Sequence, residues 1–168
     1  GLIMKLSDVR VDIDKIDKAM KELFIRRMEL SESVADIKIA EHDRVYKPDR
    51  EKAMKEKLIS DVNENIRGEY ESFLETVVRL SRKHQYSRIN DANKLNDASG
   101  NRICIKTGAD DIIRICRIAG DYGAEVENTE FDDNAGLLVL YIRVNNISEV
   151  GNLMLQLQSE TNAYIFCK

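Results

Sequence analysis

Several features common in other protein classes are missing or scarce in this sequence. No stretch approaches the roughly 18 uninterrupted apolar residues needed to cross a bilayer, so no membrane segment is expected. Lys5, Asp8, Arg10 and Asp12 interrupt the place where the apolar part of a signal peptide would lie, so none is expected. There are three cysteines, an odd number without close pairing, which suits a reducing cytoplasm better than a disulfide framework. The two histidines, His42 and His84, sit at no metal-ligand spacing, and the surface is their expected place. No serine or cysteine is paired with a base, and no glycine-rich loop could cradle a phosphate. A basic excess is also missing: residues 1–87 hold 18 Lys+Arg against 18 Asp+Glu, and residues 88–168 hold 8 against 12. Nucleic acid is therefore not an expected partner, and neither a metal nor any other cofactor is expected.

A hydrophobic fraction of 43% over 168 residues is enough to bury a core in one ordinary domain or two small ones. Punctuation favours two. The only proline is Pro48, and six of the eight glycines fall at or after Gly100. Residues 88–100, rich in Asn, Asp, Ala and Ser, read as a linker between a helical unit over 1–87 and a second unit over 101–168.

In the first unit Leu6, Val9, Ile13, Ile16, Met20, Leu23, Arg27, Leu30, Val34 and Ile37 step by threes and fours. Nine of these ten positions are apolar, a sustained heptad seam. Ser7 is the expected N-cap. A helix over 7–40 would be about 50 Å long, whereas a globule of this size has a radius of gyration of only about 12 Å. Such a helix overhangs its own domain, and its seam predicts a homodimer. Pro48 with Asp49 and Glu51 marks the start of a second helix, whose stripe is Met54, Leu58, Val62 and Ile66 and whose expected stop is Gly68. A third helix is expected over 69–85.

Polar side chains stand where these seams call for apolar ones. Arg27, Ser31, Val34 and Lys38 share a face, because eleven residues at 100° each return to within about 20°. Glu51 lies seven residues before Leu58 on the second stripe, and Leu74 and Val78 continue into Ser81 and Gln85. Singly, each has an ordinary explanation: snorkelling, a solvated helix end, a hydroxyl bonding back to a carbonyl, or service to the helix dipole. Together they turn two cations, a carboxylate, an amide and a hydroxyl inward, at a cost of several kcal/mol per uncompensated charge. A polar, multiply charged ligand would supply partners. A site of donors without nucleophile or metal suits a reaction that needs only binding and electrostatics.

Residues 6–85 resemble the all-helical chorismate mutases. The likeness is carried by Leu6-Ser7-Asp8-Val9-Arg10, Asp14-Lys15-Ile16-Asp17, Arg26-Arg27-Met28-Glu29-Leu30, Val34-Ala35-Asp36-Ile37-Lys38, Val45-Tyr46-Lys47-Pro48-Asp49-Arg50-Glu51 and Ser81-Arg82-Lys83-His84-Gln85. The resemblance implies rearrangement of chorismate to prephenate in an intertwined all-α dimer. It implies that Arg27 and Lys38 bind carboxylate while Arg10 reaches in from the other subunit. It further implies that Lys38 and Gln85 bond the ether oxygen, that Glu51 accepts from the ring hydroxyl, that Ser81 donates to a carboxylate and that Arg50 orders the cluster. Lys47 departs from the family, many members of which carry Asp there. Isochorismate–pyruvate lyase, which has the same helical fold, and a non-catalytic amino-acid-sensing dimer are the alternatives.

From Asn101 the pattern changes to strand, helix, strand, strand, helix, strand, with a hairpin turn at Asp132-Asp133-Asn134-Ala135-Gly136. This βαββαβ order predicts a ferredoxin-like α+β unit. Leu137 to Tyr141 lacks the stacking aromatics of RNA-recognition modules of that order. Cys104, Cys116 and Cys167 fall at core-like positions. The unit resembles the ACT domains, amino-acid-sensing modules of biosynthetic enzymes. That likeness implies an aromatic amino acid effector (Phe, Tyr or Trp) near Gly108, Asp110 and Ile112, although Ala109-Asp110 stands where ACT domains commonly have Pro-Gly.

Overall fold

The computed structural model describes residues 3–93 and 100–167. Helix α1 runs from Leu6 to Glu41, about 54 Å at 1.5 Å per residue. Its cap is Lys5, with no side-chain bond, rather than Ser7, which lies inside the first turn. His42 ends it in the left-handed region at φ 54°, its N–H bonding back to the carbonyls of Ile39 and Lys38. Only Ser31 and Ala35 are buried on this helix. Ile16 and Leu23 remain 58% and 69% exposed, so the seam has no cover within its own chain.

Helix α2 spans Pro48–Ile59 and α3 Glu64–Asn93. The break between them comes earlier than glycine predicts. The Ser60 hydroxyl donates to the carbonyl of Lys57 (2.8 Å), the Arg67 guanidinium donates to that of Val62 (2.9 Å), and the Asn63 side chain accepts from the N–H of Asn65 (3.2 Å). These short polar bonds satisfy the helix ends locally. Val62 therefore lies in a turn, and Ile66 and Gly68 belong to α3. At its other end α3 continues through residues 88–93 of the stretch expected as a linker, while 94–99 lie outside the described residues. Ser31–Ser81, Glu32–His84 and Asp36–Arg88 pair α1 with α3 in parallel. Lys55–Glu75 and Glu51–Arg82 pair α2 with α3 in the opposite sense.

Residues 102–167 form strand β1 (Arg102–Thr107), a short 3-10 turn and helix α4 (Ile112–Asp121), β2 (Ala124–Asp132), β3 (Leu137–Val144), a second 3-10 turn and α5 (Val150–Glu160), and β4 (Tyr164–Cys167). The four strands stand in the order β2-β3-β1-β4, antiparallel throughout. Gly136 at φ 65° closes the β2–β3 hairpin, its N–H on the carbonyl of Asp132 (2.8 Å). Ile103, Ile105, Leu140, Ile142 and Val144 of the sheet meet Ile115 and Ile118 of α4 and Val150, Leu153 and Leu157 of α5 in one core. Cys104 is buried, but Cys116 is exposed. The inward face of α4 follows Ile115, Ile118 and Ala119, and Cys116 lies about 100° from Ile115 around it. The side chain of Cys167 lies outside the described residues.

The two units meet along α3 through polar groups. Arg79 pairs with Asp121 (2.5 Å), Lys83 donates to the Asp121 carbonyl (3.0 Å), Asn90 to Asn152 (2.5 Å), and Arg82 pairs with Glu160 (3.0 Å). Among the described residues no helix is long and apolar enough to cross a membrane.

Candidate active site

Three helices and one loop converge on a cavity of about 530 Å³. The polar face of α1 contributes Arg27, Ser31 and Lys38; α2 contributes Arg50 and Glu51; α3 contributes Ser81 and Gln85. The loop before Pro48 brings Val45 and Lys47 to the rim. Of the seven catalytic candidates only Arg10 is elsewhere. It is exposed and lies about 26 Å along α1 from Arg27, given 17 residues at 1.5 Å.

Each wall has a local cause. Lys38 sits in the last turn of α1, where its ammonium complements the helix dipole, and its Nζ donates to the carbonyl of Val45 (2.9 Å). Burial holds this ammonium below the ordinary lysine value, and the neighbouring charge of Lys47 adds to the effect while Asp43 opposes it. Lys47 itself pairs with Asp43. The Ser31 and Ser81 hydroxyls are 2.6 Å apart. Because Ser31 donates to the carbonyl of Arg27 (3.0 Å), it accepts from Ser81. Gln85 is 6% exposed and reaches Ser81 only at 3.5 Å, and its side-chain carbonyl is buried without a partner among the described residues. Glu51 receives both bonds of its carboxylate from Nη1 of Arg82, each 2.7 Å.

The charge balance shows what such a cavity takes. Arg27, Lys38, Lys47, Arg50, Lys57 and Arg82 line it with six cations, against the single carboxylate of Glu51. A small polycarboxylate with one hydroxyl matches that pattern, because guanidinium forks bind carboxylates through both oxygens. Residues 9–86 match the family model for Chorismate mutase type II. The helical half is a chorismate mutase domain. The enzyme is accordingly an isomerase of the chorismate mutase class. No curated protein matches the chain, and no solved structure does.

Some residues of the cavity carry no mark of a site residue in the sequence. Ser31 was placed on the right face of α1 but given no task, and its burial (5%) follows from α3 lying directly against it. Lys57 and Arg82 carry no sequence signal of their own, since a charged residue on a helix is ordinarily solvated. Arg82 turns inward only because Glu51 and Glu160 both face it. In the sheet domain Gly108 has φ −73°, Gly108 and Asp110 are exposed, Ile112 is half-buried, and none of these three lines the cavity between the helices.

Proposed function

We propose that the chain converts chorismate to prephenate as a homodimer, each cavity being completed by Arg10 of the partner subunit. One observation carries the reading: Lys38, Gln85, Arg27 and Glu51, from three different helices, line the same cavity. In the rearrangement one C–O bond breaks as one C–C bond forms, with no group gained or lost. Negative charge builds on the ether oxygen, and the Lys38 ammonium and Gln85 amide N–H are the donors for it. Arg27 holds carboxylate, Ser81 joins it by turning its one hydroxyl proton from Ser31 to the substrate, Glu51 accepts from the ring hydroxyl, and Arg50 orders the rim. An acceleration near ~10⁶ requires about 8 kcal/mol. Two or three fixed donors at roughly 3 kcal/mol each, with restriction of the substrate to its reactive shape, account for that.

The uncovered seam of α1 supports the dimer. Leu6, Ile13, Met20, Leu30 and Ile37 are all exposed and lie on one stripe, and a second copy of α1 would cover them with like residues. It would also bring a second Arg10 to a cavity that its own chain's Arg10 cannot reach. For the C-terminal domain we favour a ferredoxin-like, ACT-like module that senses Phe, Tyr or Trp. The strand order with two helices on one face supports this. A reducing cytoplasm is its expected setting.

The test is to follow chorismate with the purified full chain, alone and with Phe, Tyr and Trp added in turn. Loss of chorismate to an isomer of equal mass is the expected result. Release of pyruvate would instead identify a lyase, and persistence of chorismate a non-catalytic dimer. A rate unmoved by all three amino acids would remove the sensing role.

A further inference from the structure

Arg82 stands between the mutase cavity and the sheet domain. Its Nη1 binds both oxygens of Glu51 at 2.7 Å, and its Nη2 pairs with Glu160 at 3.0 Å. Its guanidinium carbon lies 4.8 Å from the centre of the Tyr46 ring. The Arg82 side chain is 12% exposed, and that of Glu160, the last residue of α5, only 1%. Burying a carboxylate so completely is costly unless it is paired. This one is paired across the domain junction, with a residue whose other arm holds a group of the cavity.

The planar fork makes the arrangement specific. One amino group takes each carboxylate, and the aromatic face limits rotation, so fixing Glu160 fixes the direction from which Glu51 is held. The bond with Arg82 uses one side of the Glu51 carboxylate, leaving acceptor capacity for a ligand hydroxyl. The neighbouring cations explain why the hold matters. Lys38 and Arg50 line the same cavity, and Glu51 already acts on the charge of Lys38. A Glu51 carboxylate released from Arg82 has the other cations of the cavity as alternatives, and pairing with them would spend the charge intended for the substrate.

We infer that Arg82 is a positioning residue for Glu51, held on it by Glu160, so that the sheet domain completes the mutase site of its own chain. This rests on the reading of Glu51 as the acceptor for the ring hydroxyl. The C-terminal half is then part of the catalytic support, and any shift of α5 against α3 is transmitted to Glu51 through one side chain.

The test is a double-mutant cycle in the full chain, using Glu160→Gln, Glu51→Gln and the pair, with kcat and KM for chorismate and the melting temperature of each protein. Glu160→Gln should lower kcat by about fivefold or more in the otherwise native chain and should add no further loss to Glu51→Gln. An equal loss in both backgrounds, or none in the native one, overturns the inference. A Glu51→Gln variant with full activity overturns the role of Glu51 itself, which is a separate result. If Glu160→Gln does not fold, the same cycle is read with Arg82→Lys, which keeps the charge and loses the fork.

Discussion

Replacing Gln85 with leucine separates catalysis from stability in this protein. The side chain is 6% exposed; among the described residues its one hydrogen bond is the long 3.5 Å contact to Ser81, and its carbonyl oxygen is buried without a partner. The fold therefore gains little from the amide, and a leucine of similar bulk removes an unpaired polar atom as well as a weak bond. Unfolding free energy should stay within about 1 kcal/mol of the native value. In the proposed mechanism the same amide is a donor to the oxygen that gains charge, and losing such a donor costs about 3 kcal/mol, or roughly a hundredfold in kcat. Chorismate consumption, measured beside a urea titration of the same sample, reads both quantities. An unchanged kcat would remove Gln85 from the site. A fall in kcat matched by a comparable fall in stability would show that the amide serves the fold instead.

Three further predictions follow from charge, chain geometry and helix propensity. In the proposed mechanism Lys38 acts as the ammonium, and it is held below the 10.5 of an ordinary lysine, by burial first and then by Lys47. Activity is thus retained below its folded value and lost as pH rises through it, so kcat/KM should decline at a lower pH than 10.5, and Lys47→Ala should move that decline upward. Lys38 contributes to stability in the opposite direction, because a fold that disfavours the ammonium gains as the proton leaves, so an alkaline loss of activity without unfolding is expected. Mixing Arg10→Ala with Arg27→Ala chains in equal amounts should restore about a quarter of native activity, since half the dimers are mixed and each of those has one intact site. Mixtures as inactive as both parents would refute the shared site. Gly68 lies inside α3 with nothing within 4 Å of an added Cβ, so Gly68→Ala should raise stability by about 1 kcal/mol at unchanged kcat; a loss of stability would contradict its placement in the helix.

The sequence carried most of the fold because the signals were periodic. The heptad seam located α1 to within a residue at each end, and the alternating strands with their turn at Asp132-Asp133-Asn134-Ala135-Gly136 located the hairpin. Periodicity also placed Arg27, Ser31 and Lys38 on one face of α1, as the cavity requires. It failed where short polar bonds decide, as at Ser60 and Asn63, which end α2 and begin α3 without a glycine, and where burial depends on which face a neighbour covers, as at Cys116.

A sequence specifies which faces are polar; tertiary structure decides which of those faces meet. The local periods alone marked three helices, a four-stranded sheet and an inward row of charged groups, because helical and strand periods act over a few residues. The pairing of Arg82 with both Glu51 and Glu160 spans 31 residues one way and 78 the other. No local period reaches that far, and only the docking of the sheet domain on α3 brings the two carboxylates to one guanidinium.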